Sequence, residues 1–285
     1  MPTRRLPSPP RAVARRLVAL SGACHPAPTA AVTGLSTVLG AALGLCATRL
    51  VLLAAAVLTG QLSIGWSNDV LDASRDTRVG RSDKPLATGR LGRATVAAAA
   101  AGALSASVPL SLALGARPGT LHLLAVAGGW AYNLGVKRTV LSWLPYAVSF
   151  GLLPAFVVLA AGGTVPAWLV AAGAQLGVGA HLFNVLPDIA ADAATGVRGL
   201  PVRIGPRVSR ILGAALLAGA AGTLTLAPSG PPAAMAWAAL SAACCLSAAA
   251  ALAGRRARSR LPFLFAVAAA AVDVALLTGR ASTML

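Results

Sequence analysis

Residues 50–76 read LVLLAAAVLTGQLSIGWSNDVLDASRD: Leu50 to Trp66 is a run of 17 residues without a charge, and Asn68, Asp72 and Asp76 follow it at intervals of four. At 1.5 Å per residue the run covers about 25 Å, most of a hydrocarbon core of about 30 Å. A helix continuing past Trp66 stacks the three polar residues on one face, just where it leaves the apolar phase. The segment therefore predicts a membrane-crossing helix with carboxylates at its end.

The rest of the chain agrees with that reading. Hydrophobic residues make up 57% of the 285 and charged residues 11%, against about a quarter charged in ordinary soluble domains. Apolar runs predict an all-α, polytopic protein of about nine transmembrane helices, over Pro28–Thr48, Leu50–Trp66, Thr95–Ala116, Thr120–Val136, Val140–Ala161, Val165–Pro187, Val208–Pro228, Pro231–Ala253 and Leu261–Gly279. Met1–Ala27, with arginines at 4, 5, 11, 15 and 16, suits an interfacial helix better than a signal peptide, because its apolar run is short and is broken by His25 and two prolines. The expected organisation is a basic segment, 1–27, followed by a single membrane domain, 28–285.

A net charge of +17 would suggest nucleic acid in a soluble chain, but here the cations follow topology. With the N-terminus inside, alternate segments hold 21 of the 24 lysines and arginines, and only Arg49, Arg117 and Arg280 fall outside. The prediction is a multi-pass cell-membrane protein, its N-terminus cytoplasmic, contacting the bilayer and not nucleic acid. Arg255–Arg260 serves as a topology determinant and anionic-lipid contact. Cys24, Cys46, Cys244 and Cys245 lack metal-ligand spacing and read as small apolar residues.

The chain has no glutamate, and six of its seven aspartates lie in two inside segments: 69, 72, 76 and 83, then 188 and 192. His181, Asn184, Asp188 and Asp192, spaced three, four and four, predict a second polar stripe. Like charges four apart destabilise a helix, so something positive must compensate. Oxygen donors of this kind suit Mg²⁺, which keeps waters and shares its ligation with substrate phosphates. Cations at 75, 78, 81, 84, 137, 138, 198 and 203 suit the other side of a metal-bound diphosphate. The plainer reading, interfacial ion pairs of little energetic weight, accounts for one such loop more readily than for two on the same side. His181 reads as a packing residue, and Asp273, within the last span, as a hydrogen-bonded structural acid.

Asn68-Asp69-x-x-Asp72-x-x-x-Asp76 with Lys84-Pro85-Leu86 and the turn containing Gly89 resembles the first signature of the UbiA superfamily of intramembrane prenyltransferases. Asp188-x-x-x-Asp192-x-x-x-Gly196-x-Arg198-x-Leu200-Pro201-Val202 is similar to the second, and Tyr132 with Lys137-Arg138 to the element between them. The resemblance implies nine helices around a central lipid-open cavity with a cytoplasmic cap. It implies one Mg²⁺ held by Asn68, Asp72 and Asp76, another by Asp188 and Asp192, and Asp69 in support. It places Lys137 on the diphosphate and Tyr132 at the reacting end, with Asp72 and Asp76 central to catalysis. Arg81, Lys84, Arg138, Asn184 and Arg198 are the candidate substrate contacts. Two departures stand out: Lys84 where arginine is common, which loses bidentate geometry, and Gly199 where threonine is frequent.

The implied reaction is transfer of a prenyl group from an isoprenyl diphosphate to a lipophilic acceptor, aromatic by default, with acceptor-free cyclisation as the alternative within the family. A divalent-cation transporter is the rival from another class. Transporters, however, place ionisable residues near the midplane, whereas these clusters fall at helix ends. A scaffold would leave both stripes unexplained.

Overall fold

The computed structural model describes residues 18–82, 84–255, 259–280 and 284–285, and these are helical with no strand. Nine long helices follow in order: α1 Pro26–Ala42, α2 Ala47–Arg78, α3 Arg93–Leu112, α4 Ala116–Leu134, α5 Leu144–Ala160, α6 Ala167–Val185, α7 Leu200–Leu226, α8 Ala234–Ala253 and α9 Leu261–Thr278. Among the described residues, seven segments are long and apolar enough to cross a membrane; α1, only 17 residues long, and α4 are not among them. Most of the basic segment expected over residues 1–27, and Asp83, lie outside the described residues.

The helices run up and down, each packing on its sequence neighbour, and α9 returns to α1 to close the circuit. One end is tied by Arg49, whose Nη2 donates to the carbonyls of Leu114 and Ala160, each at 2.9 Å, so the ends of α3 and α5 meet the start of α2. Charge-assisted bonds to helix-end carbonyls satisfy acceptors that the helices leave open. Lipid supplies no hydrophobic drive between helices, so close packing has to hold them together. On α6, Gly173 and Gly177 face α5; a Cβ at Gly177 would stand 2.5 Å from the Tyr146 carbonyl.

As the sequence reading expects, the helix runs unbroken past Trp66 to Arg78, so the first acidic stripe belongs to the membrane helix itself. Two boundaries differ from that reading. The helix expected from Val208 begins at Leu200 and is kinked at Gly205 (φ 77°), just before Pro206, which has no N–H to give an i−4 carbonyl. Finally, α6 does not carry the second stripe to its end. A 3₁₀ turn at Leu186–Asp188, containing Pro187, separates it from a short helix, Ile189–Ala194.

Candidate active site

The end of the bundle opposite Arg49 carries the loop 79–92, the 3₁₀ turns Val136–Arg138 and Val140–Trp143, and the segment 186–199. Beneath them lies a cavity of about 260 Å³ whose polar end is lined by Asn68, Asp72, Arg75, Tyr132, Lys137, Asn184, Asp188 and Asp192. Its walls then become apolar, with Val32, Leu35, Ile64, Phe150, Leu176 and Ala270. A head of charge and a tail of hydrocarbon thus share one enclosure.

Arginine and lysine bridges draw the two acidic motifs together. Arg75 stands 3.2 Å from Asp72 and 3.0 Å from Asp192, while Arg81 stands 2.9 Å from Asp188. Lys137 Nζ donates to both carboxylate oxygens of Asp72 at 2.7 Å, and both residues are nearly out of solvent, at 6% and 4% exposure. Burial pulls the Lys137 ammonium below the ordinary lysine value, with the Asp72 carboxylate opposing that shift. Asn68 donates to Asn133, which is itself held by Ile64 O and Ser67 Oγ; this fixes the side chain at the cavity wall.

Asp69 and Asp76 are buried but are not part of the lining. Each four-residue step on an α-helix overshoots a full turn by about 40°, so Asp76 has rotated by about 80° from Asn68. It sits 3.9 Å from Arg75 Nε. Asp69 takes a bond from Lys84, and its Oδ2 has no hydrogen-bond partner among the described residues. Lys84 thus faces the first carboxylates and not the open cavity. Arg138 and Arg198 are exposed and lie outside the lining, so the fold does not gather them with the other candidates. His181 is outside the lining as well: it packs against Tyr132 and Tyr146, with Nε2 3.2 Å from Ser142 Oγ, in keeping with its reading as a packing residue.

Three contributors do more than sequence reading assigned to them. Arg75, grouped there with the cations facing the diphosphate but not chosen as a site residue, lies between Asp72 and Asp76 in the first motif and bridges Asp72 to Asp192. His25 lines the cavity mouth in a left-handed conformation (φ 55°) and accepts from Lys84 at 3.0 Å. The chain reaches that point because Gly65 lets the Cys24 backbone lie directly on α2. Gly199, noted only as a departure, is a contact point: a Cβ there would stand 2.6 Å from the Lys137 carbonyl and 3.1 Å from Ser142 Oγ. Ser142 Oγ also accepts from Leu200 N at 2.9 Å, so the second motif is pressed onto the turn that presents Lys137.

The sequence model of the UbiA prenyltransferase family matches residues 26–270. This chain belongs to the UbiA prenyltransferase family. Among solved structures, its fold is similar to that of the apo form of a UbiA homologue from Aeropyrum pernix K1, with a TM-score of 0.72 and 18% identity over 88% of this chain and 97% of that one. It is similar to a UbiA homologue from Archaeoglobus fulgidus bound to GPP and Mg²⁺, with a TM-score of 0.69 and 16% identity over 91% and 99%. It also resembles a digeranylgeranylglyceryl phosphate synthase, with a TM-score of 0.65 and 13% identity over 94% and 99%. Comparison with curated protein sequences gives no match. Family membership and seven apolar spans make this UbiA protein an integral membrane protein.

Proposed function

We propose that the protein catalyses Mg²⁺-dependent transfer of a prenyl group from an isoprenyl diphosphate to an aromatic acceptor within the membrane. The observation that carries this reading is the cavity's polarity: carboxylates and cations from both motifs at one end, continuous with apolar walls. The Archaeoglobus homologue bound to GPP and Mg²⁺ supports the choice of donor.

The residues present fit Mg²⁺. All are oxygen donors, and Asp72 and Asp192 already converge on one guanidinium. Among the described residues no three His, Cys, Asp or Glu side chains enclose an ion unaided, as expected for a metal that completes its shell with water and phosphate oxygens. Asn68 and Asp72, with Asp76 a turn beyond, would hold one ion, and Asp188 and Asp192 another. Asp69 supports the first group through Lys84. When bound, Mg²⁺ neutralises charge accumulating on the departing diphosphate.

Lys137, Arg75 and Arg81 draw the diphosphate oxygens to the polar end, positions they now hold against carboxylates. As the allylic C–O bond breaks, its electron pair leaves with pyrophosphate and these cations stabilise the charge. Tyr132, Tyr146 and Phe150 shut water from the allylic carbon. Tyr146 and Phe150 are stacked, 6.1 Å apart with planes 9° apart, and offer a face to a planar acceptor. Asn184 lies 3.5 Å from the Tyr146 hydroxyl and steadies that ring from the second motif. The acceptor's carbon then takes the prenyl group and loses a proton. The excess of arginine and lysine in the loops at this end supports a cytoplasmic orientation.

The test is pyrophosphate release from geranyl, farnesyl and geranylgeranyl diphosphate by purified protein in lipid, with and without aromatic acceptors and with Mg²⁺ added or chelated. Release requiring both metal and acceptor is expected. Release independent of acceptor would replace transfer by cyclisation, and no release at any chain length would refute both.

A further inference from the structure

Beyond Phe150 and Leu176 lies a second chamber of about 100 Å³, which shares Val32, Leu35, Phe150, Leu176 and Ala270 with the walls of the first. Hydrocarbon side chains line nearly all of the second chamber, but Asp273 of α9 is one of its walls. Asp273 is the twelfth residue after Leu261, which places it about 18 Å along the helix, deep in the span. It is 3% exposed, and neither carboxyl oxygen has a hydrogen-bond partner among the described residues. This corrects the expectation of a hydrogen-bonded structural acid.

An apolar tail pocket needs nothing but hydrocarbon at its end. A carboxyl buried without a partner is costly, and an ionisable residue inside a span is retained where it meets a partner or a ligand. Ser36 of α1 is the other hydroxyl or charged side chain in the chamber wall. We infer that the deep chamber is a binding site for a hydroxyl group carried on a hydrocarbon chain, with Asp273 as its hydrogen-bonding partner. The hydroxyl can come from the far end of a prenyl diphosphate whose head sits at Lys137, or from a separate lipid alcohol entering from the bilayer. Only the first source rests on the transfer reading above.

The experiment compares ligand pairs that differ in one hydroxyl, by calorimetry on the detergent-purified full chain with Mg²⁺: farnesyl diphosphate against its ω-hydroxy form, and dodecane against dodecan-1-ol. A hydrogen bond to Asp273 predicts roughly tenfold tighter binding of the hydroxylated member of one pair. Asp273→Leu should abolish that preference, and Asp273→Asn, which preserves shape and hydrogen bonding, should retain a few-fold part of it. Preference confined to the diphosphate pair identifies the prenyl donor as the source; preference in the alcohol pair identifies a separate lipid. Equal affinities within both pairs, or no binding by either, would overturn the assignment. Failure of farnesyl diphosphate alone to bind, with dodecan-1-ol still preferred, would count against the transfer reading and leave this one standing.

Discussion

Replacing Lys137 with methionine probes the bond that ties the middle loop to the first motif. Both oxygens of Asp72 receive Lys137 Nζ at 2.7 Å in a nearly solvent-free setting, so Lys137→Met leaves a buried carboxylate short of its main partner. Removing one member of such a pair costs roughly 3 to 5 kcal/mol, and because Arg75 remains 3.2 Å from Asp72 the expected loss is near the lower figure. Adding Asp72→Asn removes the stranded charge, so the double variant should regain most of that stability, with a coupling of about 1 to 3 kcal/mol. Turnover should follow the opposite pattern, lost in both single variants and in the double. The assay is thermal or denaturant unfolding of the four proteins in one detergent, alongside Mg²⁺-dependent pyrophosphate release. Stabilities that simply add would show that the two side chains are not energetically coupled, and a double variant that recovers turnover would refute their role at the diphosphate.

Gly199→Thr should lower stability by roughly 1 to 3 kcal/mol through overpacking against the Lys137 carbonyl. If the turn shifts, turnover should fall about a hundredfold with less change in KM; unaltered kinetics would mean that the turn accommodates the methyl and hydroxyl freely. Burial lowers the Lys137 pKa from its ordinary 10.5, so an activity needing the ammonium should fall on the alkaline side at a pH below 10.5. Lys137→Arg, which stays charged, should remove that limb from the kcat/KM profile, and a limb that does not move would assign it to another group.

The first motif was legible because it is local. Asn68 and Asp72 share a helix, and helical spacing alone puts them on a common face. The accumulated rotation turns Asp76 out of the lining and toward Arg75, which spacing by fours does not reveal. In the second stripe Pro187 and the 3₁₀ turn break the periodicity between Asn184 and Asp188, while His181 packs against Tyr132 and Tyr146. Arg138 and Arg198 were grouped with the site by charge and proximity in sequence, yet both are exposed and outside the cavity lining, since a loop cation can face water.

Sequence alone determined that this chain crosses a membrane several times, which ends carry its acids and cations, and which motifs belong together. Hydrocarbon thickness and helical periodicity act over tens of residues or fewer, and both are written directly in the order of side chains. The tertiary structure decided what meets across that order: Lys137 on Asp72, Arg75 between Asp72 and Asp192, Cys24 laid on α2 at Gly65, and Gly199 against the Lys137 turn. It also placed Asp273, which sequence showed only as an acid in a span, in the wall of a chamber that borders the site. These pairings join residues far apart in the chain, so they follow from how the helices close around the cavity and not from any local pattern.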